Sequence, residues 1–335
     1  MDNKITKRRF FDFLSYEWIL ITVIILVAIF VWEVVFTLFS VKPTHGQRFK
    51  IIYDEGVETQ YETDIVVVTH DYERTYSFDV LEINKEGMTS GIENEIGIRH
   101  KTHDCDVIVT TDIELTNQSG SKYTRANYIT ESFNPWSYEK AVKDGDLYLE
   151  KLLKSNKDKI PAGDLSTAYT FSQMDTNKID ELFLTRLKGD NRFRKDAQKE
   201  QGKSYERQRI EKLCKEVAFA KKLLKNYSDI FYTYTLGEQA YNQAVTPADK
   251  QSALATLEKN KQKNLQLYGK EELSYGIRVD KLKDGEFRPA EFFTTNGECK
   301  NLVLMAFDFI DVQPHLQFES LSFINSVVRL CSNVR

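Results

Sequence analysis

Hydrophobic positions fall along this chain in two quite different ways. Residues 18–39 are apolar almost without interruption, from Trp18 through Leu26 and Val31 to Phe39, with Glu33 as the one acid. Twenty-two helical residues reach about 33 Å, against a hydrocarbon core of about 30 Å. Tyr16 and Trp18 at one end and Trp32 near the other are the residue types that settle at a membrane interface. Glu33 lies close enough to the second end to reach the headgroups. The pattern predicts a transmembrane helix over 16–40.

After Ser40 the apolar positions come in short runs with a period of two, or in stripes with a helical period. Runs at 48–53, 64–69, 77–83, 106–111 and 301–307 are β-branched or alternating, as strands require. Gly120 to Thr130 reads as loop, and Asn134 to Trp136 as an irregular crossing. From 138 to 270 the period is helical. Val142 and Leu149 belong to the first stripe, and Ile179 and Phe183 to the second. Ile210, Leu213, Val217, Ala220 and Leu224 form the clearest one. Thr246-Pro247 starts a further helix that Gly269 stops. Residues 318–330, with Leu321, Ile324 and Val328, predict a closing helix. The expected fold is therefore α/β, with residues 47–135 as an α/β lobe, 138–270 as a helical lobe and 271–335 returning to the first.

Charge sets the expected topology. Lys4, Lys7, Arg8 and Arg9 precede the apolar run, while Lys42, Arg48 and Lys50 are more spread behind it. The positive-inside rule then keeps 1–15 in the cytoplasm and places 41–335 outside, as a single-pass protein of the cell membrane. The run is longer than a signal-peptide core, and no small-x-small pattern follows it. An uncleaved anchor is expected. The 335 residues are 12% aromatic with only 15 Gly and 6 Pro, which excludes a disordered or low-complexity chain. A formal charge of −4 argues against a nucleic-acid partner.

Candidate chemistry is sparse. His100, His103 and Cys105 are near one another in sequence, but no second His/Cys pair completes a zinc set. No Gly-x-Ser-x-Gly, His-Glu-x-x-His or phosphate loop occurs, so neither an enzyme nor a cofactor is expected. Cys105, Cys214, Cys299 and Cys331 are too few for a disulfide framework, and their redox state is open. Residues 186–225 carry 14 Lys/Arg against 6 Asp/Glu. That excess suits either an anionic lipid, polymer or partner, or a solvated helix face. The remaining candidates stand at strand ends and crossings, where α/β proteins bind ligands. They are Tyr53, Asp54, Thr111, Asp112 and Trp136. The acids offer charge, and the aromatic rings offer flat walls with polar tips.

Phe49-Lys-Ile-Ile-Tyr53, Ser77-Phe-Asp-Val-Leu-Glu-Ile83 and Asp104-Cys-Asp-Val-Ile-Val-Thr-Thr111 are followed by a helical middle and a returning strand at 301–307. This order resembles the extracellular solute-binding proteins of bacterial uptake systems. The resemblance implies a two-lobed, periplasmic-binding-protein-like exterior domain with its ligand between the lobes. It implies a small-molecule or peptide ligand and a transporter or envelope complex as partner, besides the lipid bilayer. A structural subunit of a cell-envelope assembly, of the secretion or conjugation type, is the alternative.

Overall fold

The structure is a computed structural model that describes residues 7–39, 48–58, 82–88, 92–101, 105–116, 120, 122–186, 195–307 and 318–334. The chain divides into two compact units, Met1–Thr44 and His45–Arg335.

The first unit contains α1, Lys7–Phe39. Within it, Trp18–Phe36 has a mean hydropathy of 3.0 and no buried residue, so α1 is long and apolar enough to cross a membrane. Thr22 fits this run because its hydroxyl donates to the Trp18 carbonyl, 2.8 Å away, one turn back along the same helix.

The second unit is built on a mixed sheet in the order β3-β1-β4-β10-β8-β7. Its strands are β1 (Arg48–Tyr53), β3 (Glu82–Gly87), β4 (Val107–Thr111), β7 (Phe231–Tyr234), β8 (Leu273–Arg278) and β10 (Leu302–Ala306). β1 lies parallel to both β3 and β4. β10 is antiparallel to β4 and to β8, so β8 runs the same way as β4. The expected return of the chain to its first strands is found here, with Leu302 opposite Thr111 and Ala306 opposite Val107. Two small ladders, β2 (Val57–Glu58) with β9 (Thr294–Thr295) and β5 (Glu114–Thr116) with β6 (Lys122–Thr124), lie outside this sheet.

The helices are α2 (Ile92–Lys101), α3 (Arg125–Phe133), α4 (Tyr138–Lys151), α5 (Thr176–Arg186), α6 (Asp196–Asn226), α7 (Glu238–Gln243), α8 (Pro247–Tyr268), α9 (Pro289–Phe292) and α10 (Glu319–Cys331). They cover both faces of the sheet, which is why β4 and β10 are buried throughout. On one face Ile51, Val109 and Leu304 share a cluster with Ala141 of α4, Val217 of α6 and Ile324 of α10. On the other, Ile52, Ile108 and Val303 pack with Ile96 of α2 and Ile129 of α3. The result is a three-layer α/β unit.

The helical stretch 138–270 was expected to stand apart as a lobe. Most of its buried apolar residues, Val142, Leu149, Ile210, Leu213 and Val217 among them, belong to the cluster that holds β1, β4 and β10, and His45–Arg335 is one compact unit. Strands β7 and β8 also interrupt and follow that stretch, pairing with each other and extending the sheet. Residues 120–130, read as loop, contain the start of α3, capped by Thr124 and ended by Asn134 at φ 46°. The expected strand 64–69 and most of 77–83 lie outside the described residues.

Candidate functional site

β1, β4 and β8 point their C-terminal ends the same way, so Tyr53, Thr111 and Arg278 finish at one end of the sheet. β1 sits between β3 and β4, so the chain passes from β1 to one side and then on to the other. In an α/β sheet this reversal opens a crevice at the carboxyl ends of the two strands concerned. Asp54 stands at that point. It is 2% exposed, and its carboxylate accepts the Thr110 hydroxyl at 2.6 Å and the Glu55 N–H at 2.6 Å. Its own N–H donates to the Val109 carbonyl at 2.9 Å. Burial pushes its carboxyl above the usual carboxylate range, opposed by the Thr110 hydroxyl and the nearby Arg125 charge.

The pleat distributes the expected residues over two faces. Val303, opposite Thr110, lies in the α2–α3 cluster, whereas Leu302, opposite Thr111, lies in the other. Asp54 and Thr110 therefore meet on the α3 side. Arg278 joins them there, because it also pairs with Val303. Its Nη2 donates to Asp112 Oδ2 at 2.6 Å, and its guanidinium lies 5.6 Å from the Tyr232 ring. Tyr232 in turn donates to Asn127 of α3. Arg125 approaches Glu55 at 3.6 Å. Tyr53 and Thr111 face the other side. Tyr53 is buried with its ring 6.2 Å from Phe293, and its hydroxyl has no hydrogen-bond partner. Burial alone raises that phenol.

Trp136 is not part of this group. Its N–H donates to the Phe307 carbonyl at 2.9 Å, just past the end of β10, which runs against β4. It thus lies at the opposite end of the sheet, half-buried against the core. Sequence reading placed Thr110 at a strand end beside Thr111 and Asp112 but chose Thr111 as the contact, and only the pleat tells the two threonines apart. It missed Arg125 and Arg278. No local pattern marks the two arginines.

Among the described residues no group of three His, Cys, Asp or Glu side chains could hold a metal ion. His103 lies outside them. All four cysteines are free thiols, and Cys105, Cys214 and Cys331 are buried. Burial pushes Cys214 and Cys331 up to about 12, and Cys299 up to about 11, so none of these three is a ready thiolate. Among the described residues of the basic stretch, three bases pair with acids on neighbouring elements. Arg207 holds Asp180 at 2.9 Å, Arg209 holds Glu319 at 3.2 Å and Lys221 holds Asp146 at 2.8 Å. Those acids come from α5, α10 and α4, so these three bases fasten α6 to its neighbours.

The arrangement can position a polar group at the sheet end, using charges already fixed by internal bonds. Comparison of the chain with protein-family models, curated proteins and solved structures finds no match.

Proposed function

We propose that this is a single-pass, membrane-anchored recognition protein, non-enzymatic, with its N-terminus cytoplasmic and His45–Arg335 outside the cell. It takes a small polar molecule or peptide group at the C-terminal ends of β1, β4 and β8. One observation supports this most: the Asp54–Thr110 and Arg278–Asp112 pairs stand at the same end of the sheet, the first of them where the chain's crossovers diverge. Each is held by a partner before any ligand arrives. Such preorganisation reduces the ordering cost of binding. In the solute-binding-like reading the ligand would lie between two lobes. The core shared by the sheet and the 138–270 helices favours the sheet end instead. The full chain in detergent should be stabilised thermally by a member of an amine, peptide and sugar panel. Asp54→Ala and Asp112→Ala should abolish that shift. Stabilisation that survives both substitutions would defeat the site assignment.

The alternative, a structural subunit of a cell-envelope assembly, draws on a different observation. Over the 22 residues of α8 only Leu257 is buried, and Val245 in the preceding turn is 93% exposed. Leu254 and Leu265 are exposed on the same helix. Photo-crosslinkers at Val245 and Leu254 should capture a neighbouring envelope protein in intact cells if that reading holds.

A further inference from the structure

A cavity lies at the other end of the sheet, near the start of β8, and it does not depend on the site at Asp54. It has a volume of about 240 Å³ and lies between the start of α4, the end of α8 and the loop around Gly163. Lys143, Lys270, Glu139, Asp164, Tyr268 and Leu165 line it.

The two acids are already satisfied. The β7–β8 register slips between Tyr232 and Thr233, and there Glu139 Oε2 takes the Ser274 N–H at 3.0 Å. Glu139 Oε1 takes the Ser274 hydroxyl at 2.8 Å. Both Asp164 oxygens accept from within their own turn, Oδ1 from the Ser166 N–H at 2.9 Å and Oδ2 from the Thr167 hydroxyl at 2.7 Å. The two ammonium groups are in the opposite position. Lys143 Nζ has a long contact of 3.4 Å with the Leu267 carbonyl, and Lys270 Nζ one of 3.4 Å with Glu139. An ammonium has three donors, so most of the cavity's unused hydrogen-bonding capacity is cationic. Tyr268, with Lys143 5.3 Å from its ring centre, and Leu165 supply apolar wall.

We propose that this cavity binds a small organic anion, whose acid group is shared by Lys143 and Lys270 and whose flat apolar body lies against Tyr268 and Leu165. A carboxylate and a phosphate monoester present the same chemistry to two ammonium groups, and the size of the cavity limits the body to about one ring.

Titration calorimetry on the detergent-solubilised full chain tests this with benzoate, phenyl phosphate, inorganic phosphate and benzylamine. Benzoate or phenyl phosphate should bind, more tightly than inorganic phosphate and with an affinity that falls as salt rises. The preferred arm identifies the acid group. Benzylamine, of the same shape and opposite charge, should not bind. Lys143→Met and Lys270→Met should each weaken binding about tenfold, while Lys143→Arg should retain it. Lys259→Met, exposed on α8 outside the cavity, should leave binding unchanged. Absence of heat with both aromatic anions would overturn the proposal, as would equal binding of benzylamine or indifference to both lysine-to-methionine changes.

Discussion

Asp54 and Thr110 are 56 positions apart in the chain, yet Oδ2 of one and Oγ1 of the other are 2.6 Å apart at the ends of adjacent strands. The bond ties the turn after β1 to β4 through a carboxylate that is buried. It joins the fold to the candidate site, because the same carboxylate is the charge offered at the crossover point.

Removing the acceptor should therefore show in stability as well as in binding. Asp54→Ala leaves the Thr110 hydroxyl and the Glu55 N–H without their partner, a cost of about 1–3 kcal/mol. Urea unfolding of wild type and variant should show that difference. A change below about 0.5 kcal/mol would mean the carboxylate is effectively solvated.

The pH dependence follows from two carboxylates with opposite shifts. Asp54 is raised by burial, so the folded state binds its proton more readily than the unfolded chain does. Its contribution grows as pH falls from its raised value into the ordinary carboxylate range, and is lost as pH rises back through that raised value. Glu86 is held down to about 2 by the Arg99 and Lys50 side chains that bond to it. Its contribution is present above about 4.5 and is lost as pH falls toward 2. Thermal melts across mild acid should therefore lose their stabilising component in Asp54→Asn. In Glu86→Gln the fall in stability below pH 4 should be shallower.

The buried ion pair of Lys221 and Asp146 is a separate test. Lys221 also donates to the Thr167 carbonyl at 2.7 Å, and Asp146 also accepts the Gly163 N–H at 2.8 Å. Lys221→Met leaves a buried carboxylate uncompensated, which costs about 3–5 kcal/mol. Adding Asp146→Asn should restore part of that loss. Strict additivity in the double-mutant cycle would contradict direct coupling.

Gly276 occupies the middle of β8 because a side chain has no room there. A Cβ would come within 2.7 Å of the Leu304 carbonyl oxygen and 2.9 Å of the Met305 side chain. Gly276→Ala should cost about 1–3 kcal/mol by overpacking, read as a lowered melting temperature. An unchanged melting temperature would contradict the close packing of β8 on β10.

Much of the architecture was legible because single segments carried it. The unbroken run over 18–39 announced α1, and Thr246, Pro247 and Gly269 marked both ends of α8. β10 declared itself by a continuous apolar run, and β1 and β4 by short apolar or β-branched runs. β7 and β8 did not. Phe231 to Tyr234 is only four residues long, and Ser274 and Gly276 break the hydrophobic signal of β8. Strand direction was equally invisible. β10 runs against β4, so Trp136, beside its end, lies far from the strand ends with which it had been grouped. The pleat separated Tyr53 and Thr111 from Asp54 and Asp112 for a similar reason, since face depends on register and not on nearness in sequence.

Recognition at the ends of β1, β4 and β8 is the central claim, and hydrogen–deuterium exchange tests it most directly. The full chain is compared alone and with whichever amine, peptide or sugar stabilises it. Protection is expected in 53–58, 109–113 and 278–282, and should vanish in Asp54→Ala. Protection confined to other segments, or a panel in which no member stabilises the chain, would contradict the account.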